Sequence, residues 1–193
     1  MLQLRKGGHR DLDRYYQLLE IDFDSEELFP KLVMHRAISG GNLELLVMYD
    51  DETNIEAAYA VVCPKSEYGY VLLKYMAVHP WYRGKGLGIE LMRMLTKRYE
   101  DTNGICAEIT EFDDPNPNRL RQLLKFFGRF GYEEIRTDYR IAGSPVHVMV
   151  KQIKGTADVS AVYHRMVPDY YLKILSSYGF GKMIDILPVK VSE

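Results

Sequence analysis

The sequence predicts an α/β fold: a mixed, mostly antiparallel central sheet with helices on both faces, followed by a short C-terminal appendage. Three observations predict this fold. Three apolar runs of strand length follow one another with short connections, which is typical of an antiparallel meander. A glycine-rich loop then leads into an amphipathic helix and another apolar run, as in a parallel strand–helix–strand unit. A second amphipathic stripe and two more strand-like runs complete the predicted sheet.

The N-terminal part is predicted to form one short strand, at residues 2–5, and two helices. Asp11 is the expected N-cap of the first helix, and Pro30 is expected in the first turn of the second, which ends at Gly40. The apolar stripe of the first helix consists of Leu12, Tyr15, Tyr16, Leu19 and Phe23. The charged and aromatic segment 23–29 forms an elbow between the two helices.

The meander is predicted at residues 43–49, 55–63 and 70–78. The helix after the glycine-rich loop has a stripe that repeats every four residues: Leu87, Leu91, Leu95 and Tyr99. A strand at 105–112 follows, and then a second helical stripe that ends at Gly131. The last two strands are predicted at 133–139 and 146–153.

This pattern predicts a core domain at residues 1–153 and a C-terminal extension at 154–193. The extension is expected to pack on the core or on a partner subunit. Its tyrosine-rich stretch, residues 163–178, suits either a homodimer contact or packing inside the chain.

Composition excludes some partners. The 193 residues include 25 basic and 27 acidic side chains, a net charge of −2, so no global field attracts nucleic acid or an anionic membrane. Residues 1–5 do not resemble a signal peptide and no apolar run is long enough to span a bilayer, so a cytoplasmic location is expected. Cys63 and Cys106 lack neighbours at metal spacing and are expected to be buried thiols, with no metal bound.

The glycine-rich loop has the character of an anion site. Gly84, Gly86 and Gly88 stand between a strand and a helix, where backbone N–H groups and the helix dipole favour a phosphate, and Arg83 and Lys85 add positive charge. A nucleotide-hydrolase P-loop requires Ser or Thr after Gly-Lys, but Gly86 stands there. A dinucleotide fingerprint is also weak, because the third glycine comes one residue early and the loop follows a meander.

Residues 78–88, Val-His-Pro-Trp-Tyr-Arg-Gly-Lys-Gly-Leu-Gly, resemble the motif of the GNAT superfamily of N-acetyltransferases. The order of elements to about residue 153 is similar to that family, as is the Gly-aromatic pair at Gly131-Tyr132. The resemblance implies acetyl-CoA as co-substrate. It also implies that the backbone of Met76, Ala77 and Val78 hydrogen-bonds the acetyl and pantetheine groups. The residues that the resemblance places around the diphosphate are Arg83, Gly84, Lys85, Gly86, Leu87, Gly88 and Ile89.

The implied reaction is attack of an amine on the thioester in a ternary complex. A lysine-like amine has a pKa of about 10.4, so a base or a water relay must remove its proton at pH 7. Glu111 and Glu108 are the candidate bases; they are three residues apart on one strand, so they face opposite sides unless a bulge intervenes. The alternative is that they are solvated or pair with Lys74 or Arg129. Tyr75 and His79 are rivals, and the Met76 N–H is the expected oxyanion donor.

One departure from the family pattern concerns the general acid. Phe127 occupies the position of the usual tyrosine, so Tyr132, Tyr139 or water must protonate the thiolate, or the chain is a non-catalytic acyl-CoA-binding or regulatory module. The acceptor, a small molecule or a peptide, is expected to contact the elbow and the acids Asp113 and Asp114, unless these charges are merely solvated.

Overall fold

The computed structural model describes residues 1–64, 66–111, 118–135, 137–155 and 158–175, and the backbone of 184–186. The described residues form five α-helices: α1 (His9–Asp22), α2 (Lys31–Ser39), α3 (Leu87–Arg98), α4 (Arg119–Gly128) and α5 (Val159–Ile174). They also form nine strands: β1 (Leu2–Lys6), β2 (Glu44–Asp50), β3 (Glu56–Cys63), β4 (Tyr70–Val78), β5 (Gly104–Thr110), β6 (Glu133–Ile135), β7 (Tyr139–Ile141), β8 (Ser144–Gln152) and β9 (Ile184–Ile186). A short 3₁₀ turn covers Pro80–Tyr82.

The strands form one sheet in the order β1-β2-β3-β4-β5-β8-β7-β9, with β6 also paired to β8. Only β4 and β5 are parallel among these pairs, because α3 crosses over between them. The predicted mixed, mostly antiparallel sheet with helices on both faces is therefore confirmed.

The sheet separates two hydrophobic clusters. On one face, α1, α2 and α5 cover a cluster that includes Leu12, Leu19 and Phe29. On the other, α3 and α4 cover a cluster that includes Leu91 and Phe127. Alternate residues of β4 and β5 face the two clusters, which is why these strands are apolar throughout.

Three local predictions need correction. Asp11 is not the N-cap of α1: Gly8 is, and the Asp11 carboxylate, one turn inside the helix, accepts the Gly8 N–H at 2.9 Å. The strand expected at 133–139 is two short strands: β6 pairs with residues 148–150 of β8, whereas β7 forms a hairpin with the start of β8 through Ala142 and Gly143, both with positive φ. The strand expected at 105–112 ends at Thr110.

The C-terminal stretch contains α5, which packs inside the chain's own core. Tyr163 and Tyr171 are almost fully buried, and the ring of Tyr171 meets that of Phe29 edge-on at 5.5 Å between centroids. The tyrosines that suited a subunit contact are thus buried within one chain as far as residue 175. The division into residues 1–153 and an extension at 154–193 stays a prediction.

Candidate active site

A bulge in β4 sets the geometry of the site. Val61 of β3 pairs with Tyr75, but Val62 pairs with Leu73, so Lys74 is an extra residue on β4. The bulge directs Lys74 and Tyr75 to the same face of the sheet, where the Lys74 ammonium lies 5.5 Å from the centre of the Tyr75 ring.

Beyond the bulge, β4 and β5 separate. Their parallel pairing runs from Tyr70 and Gly104 to Leu73 and Ala107 and then stops, so residues 74–78 have no strand partner on the β5 side among the described residues. A cleft of about 1400 Å³ opens between the two strands. Its lining comes from both faces: Ile21, Asp22, Phe23 and Glu27 from the α1 side, and Arg119, Leu120, Leu123, Phe126 and Phe127 from α4. The cleft therefore reaches both faces of the sheet.

The glycine-rich loop lies at the end of β4. Gly84 and Gly86 have φ of 76° and 77°, a left-handed conformation that other residues adopt only with strain. Gly86 caps α3. Within the described part of the chain, the backbone N–H groups from Gly84 to Gly88 find no hydrogen-bond acceptor, whereas Ile89 donates to the Gly86 carbonyl at 2.9 Å. Five adjacent donors at a helix N-terminus form a cradle for an anion.

Gly88 strengthens this interpretation. It lies in the first turn of α3, where glycine is unfavourable, and it does not need a positive φ. An added Cβ would meet only ordinary contacts, the nearest being the Val78 side chain at 3.6 Å. Neither backbone conformation nor packing requires glycine there, whereas close approach of a ligand to the helix end would require it.

The two cations of the loop differ in their contacts. The Arg83 guanidinium pairs with Asp22 of α1, and its Nε donates to the Val78 carbonyl at 3.1 Å. Asp22 also accepts the Tyr59 hydroxyl at 3.0 Å. Arg83 thus ties the loop to α1. Lys85 lies 5.5 Å from the centre of the Tyr82 ring.

Glu108 lies in the first pair of residues beyond the β4–β5 ladder, and its carboxylate is enclosed. Lys74 Nζ donates to it at 3.0 Å, and both side chains are 1% exposed. The hydroxyls of Tyr163 and Tyr171, both from α5, donate to the same carboxylate. The predicted alternative, an ion pair with Lys74, is therefore what the structure contains.

Glu111 occupies the opposite side of β5, as the three-residue spacing predicts. Its carboxylate is half exposed at the rim of the cleft and lies 3.4 Å from His147 Nε2. The other ring nitrogen of His147 contacts Glu134 at 2.6 Å. Partial burial lowers the pKa of His147, but its hydrogen bonds with Glu134 and Glu111 outweigh burial, and the net pKa is raised.

Comparison with known proteins agrees with this geometry. Residues 41–134 match the sequence model of the family described as "Acetyltransferase (GNAT) domain". Residues 41–134 are a GNAT acetyltransferase domain. The matched residues include the glycine-rich loop, β4, β5 and α4, so the predicted family and the predicted acyltransferase class are confirmed.

Solved structures show the same fold beyond the matched residues. A GNAT-family putative acetyltransferase from Bacteroides thetaiotaomicron is 16% identical, with a TM-score of 0.69 over 88% of this chain and 96% of that chain. NAA60 of Arabidopsis thaliana, solved with acetyl-CoA, is 13% identical, with a TM-score of 0.61 over 80% and 100%. A dodecameric spermidine N-acetyltransferase from Vibrio cholerae is 12% identical, with a TM-score of 0.61 over 82% and 98%. No curated protein sequence gives a significant match.

A further carboxylate, from a segment predicted only to contact the substrate, also lies in the cleft. Glu27, in the elbow between α1 and α2, lines the cleft with Phe23, whereas Asp24 and Glu26 are exposed. Burial raises the pKa of Glu27, while Lys74, Thr110 and Arg119 limit the rise. The available signal was an acid next to the apolar pair Leu28-Phe29, both buried. Asp113 and Asp114 lie outside the described residues.

The other side chains predicted to transfer a proton do not face the cleft. Tyr75 is buried and hydrogen-bonds to the elbow backbone, and His79 does not line the cleft. The Tyr132 hydroxyl contacts Met92 Sδ at 3.5 Å, and that of Tyr139 is buried without a partner in the described part of the chain. Burial raises the pKa of both tyrosines. Phe127 lines the cleft, and no described tyrosine does.

Two further observations concern the described residues as a whole. They contain no cluster of three or more His, Cys, Asp or Glu side chains that could hold a metal ion. None of their helices is long and apolar enough to cross a membrane.

Proposed function

We propose that the protein transfers an acetyl group from acetyl-CoA to a primary amine of a small molecule or peptide, in a ternary complex. One observation carries the proposal: a single cleft follows the unpaired strand edge, is lined by Arg83 next to the anion cradle, and reaches the carboxylates Glu27 and Glu111. The cradle suits a diphosphate, the strand edge suits a pantetheine amide, and the carboxylates suit a cationic amine.

The donor side uses mainly the backbone. The N–H groups from Gly84 to Gly88 would bind the diphosphate. The unpaired edge at Met76, Ala77 and Val78 would hydrogen-bond the pantetheine as an added strand does. The Met76 N–H would stabilise the oxyanion that forms when the thioester is attacked. Leu123 and Phe126 provide an apolar wall for the pantetheine chain.

The acceptor side carries negative charge. Asp22, Glu27 and Glu111 all line the cleft, and the Asp22 charge is balanced by Arg83. The Glu108 charge is balanced by Lys74, so Glu27 and Glu111, the latter beside His147, are the remaining carboxylates that can meet an ammonium group. The structural neighbour from Vibrio cholerae, a spermidine N-acetyltransferase, acts on such a cation.

A thiol-release assay tests the function. The protein is incubated with acetyl-CoA and spermidine, simple alkylamines or a peptide with a free N-terminal alanine, and released CoA is measured with a thiol reagent. Amine-dependent release is expected with at least one acceptor. Binding of CoA by calorimetry without any amine-dependent release would instead support the non-catalytic module.

A cradle variant serves as the matched control. Gly88→Glu places a carboxylate where the diphosphate would lie, yet acids are tolerated in the first turn of a helix. The variant is expected to keep its circular-dichroism spectrum and to lose CoA binding. A folded variant with unchanged affinity would contradict the cradle assignment.

A further inference from the structure

We propose that Glu27 is the base that accepts the proton of the acceptor amine, and that Tyr75 and the Lys74–Glu108 pair position it. This inference rests on the proposed function, because it assigns a residue to the reaction in the same cleft.

The backbone of Glu27 is fixed in place. The Tyr75 hydroxyl donates to the Glu27 carbonyl at 2.8 Å and accepts the Phe29 N–H at 3.0 Å. Tyr75 and Phe29 are both buried, and Phe29 packs edge-on against Tyr75 and Tyr171. A single buried hydroxyl therefore anchors the elbow to β4, next to the bulge.

The surroundings of the Glu27 side chain suit a base. The charged groups that face it are Lys74 from β4 and Arg119 from α4, and β5 contributes the Thr110 hydroxyl. The Thr110 hydroxyl is close enough to favour the ionised carboxylate, but it lacks the geometry of a hydrogen bond. Because burial outweighs these groups, the pKa of Glu27 is above its ordinary value. A carboxylate with a raised pKa is a stronger base than a solvated one.

The other two carboxylates are less suited. Glu108 accepts hydrogen bonds from Lys74, Tyr163 and Tyr171, and these three donors occupy most of the acceptor sites of the carboxylate. Glu111 lies half exposed at the rim and faces His147. The Glu108 network has a second effect: it holds Lys74 beside Glu108, so that Lys74 does not form a direct ion pair with Glu27 in the described structure.

The proposed step is balanced in protons and bonds. Glu27 takes one proton from the ammonium group, and the freed nitrogen lone pair attacks the thioester carbonyl. The carbon–nitrogen bond forms, the carbon–sulfur bond breaks, and the second amine proton reaches the departing thiolate through water. Glu27 then releases its proton to solvent.

The test compares Glu27→Gln with Glu26→Gln, an exposed neighbour in the same elbow. Both variants and the wild type are assayed with spermidine and with acetohydrazide, whose nucleophilic nitrogen is already neutral at pH 7. Glu27→Gln is expected to lower kcat with spermidine by about 10²- to 10⁴-fold and with acetohydrazide by less than tenfold. CoA binding should be unchanged in both variants, and Glu26→Gln should match the wild type.

Other outcomes distinguish failure of this inference from failure of the proposed function. If Glu27→Gln keeps the wild-type turnover and Glu111→Gln loses it, the base is Glu111. This result would overturn the inference and leave the proposed function intact. No amine-dependent turnover by the wild type would overturn the proposed function and this inference with it. If Glu27→Gln does not fold, Glu27→Asp is used. If Glu27→Asp retains part of the rate with spermidine, the result would support Glu27 as the base. Equal losses of rate with both acceptors would indicate a structural role for Glu27 and overturn the inference.

Discussion

The ammonium of Lys74 lies 3.0 Å from the carboxylate of Glu108, with both side chains 1% exposed. The pair stands at the point where β4 and β5 separate, one residue beyond the last paired position on each strand. Three aromatic rings, those of Phe29, Tyr75 and Tyr171, surround the ammonium within 5.2 to 5.6 Å of their centres. Burial of both charges is costly, so each depends on the other and on these neighbours.

We therefore expect strong coupling between Lys74 and Glu108. Lys74→Met or Glu108→Gln alone should lower the free energy of unfolding by roughly 3–5 kcal/mol, because each leaves a buried charge without its partner. The double variant should lose less free energy of unfolding than the sum of the losses in the two single variants. Urea denaturation of all four proteins measures the coupling, and additive effects would show that the two charges do not depend on each other.

Removal of the Tyr75 hydroxyl should loosen the elbow. Tyr75→Phe leaves the Glu27 carbonyl and the Phe29 N–H without this partner, at a cost of about 1–3 kcal/mol. The KM for the amine should rise while CoA affinity stays constant. Tyr139→Phe is the matched control, since its buried hydroxyl has no partner among the described residues and its loss should be nearly neutral. Equal effects of the two substitutions would refute the anchoring role of Tyr75.

Gly88→Ala should separate stability from ligand binding. Alanine is more favourable than glycine in a helix by about 1 kcal/mol, and the site has room for its Cβ, so thermal stability should not fall. Affinity for CoA should fall at least tenfold, because the methyl group occupies the cradle. Gly128→Ala in α4, where nothing lies within 4 Å of an added Cβ, is the control. Full CoA affinity in Gly88→Ala would argue against close approach of the diphosphate.

His147 should make stability depend on pH above the ordinary histidine pKa of about 6.5. Its pKa is raised in the folded protein by hydrogen bonds to Glu134 and Glu111, which outweigh partial burial. The resulting stabilisation is full below the unfolded pKa of about 6.5 and is lost as the pH rises through the folded pKa. Unfolding free energies of the wild type and His147→Gln, measured between pH 6 and pH 9, should converge as the pH increases. A constant difference across this range would count against the histidine as its source.

Much of the fold follows from patterns that sequence shows directly. The strand Tyr70–Val78 is an apolar run that follows Gly69, and it has the predicted bounds. The helix that begins at Leu87 repeats its apolar residues every four positions after the glycine-rich loop, as predicted. The predictions failed where one residue decides a boundary. Asp11 resembles an N-cap but lies one turn inside α1, because Gly8 can take the extended cap conformation itself.

The sequence by itself determined the family, the sheet with helices on both faces and the glycine-rich loop, because these depend on local periodicity and on the backbone freedom of glycine. Only the tertiary structure decided the roles of the acidic residues. The bulge at Lys74 shifts the register of β4 and brings this lysine to Glu108, while α5 delivers Tyr163 and Tyr171 from more than 50 positions away. Burial and charge pairing depend on such distant contacts, so the pattern of acids along the chain could not distinguish Glu27 from Glu108.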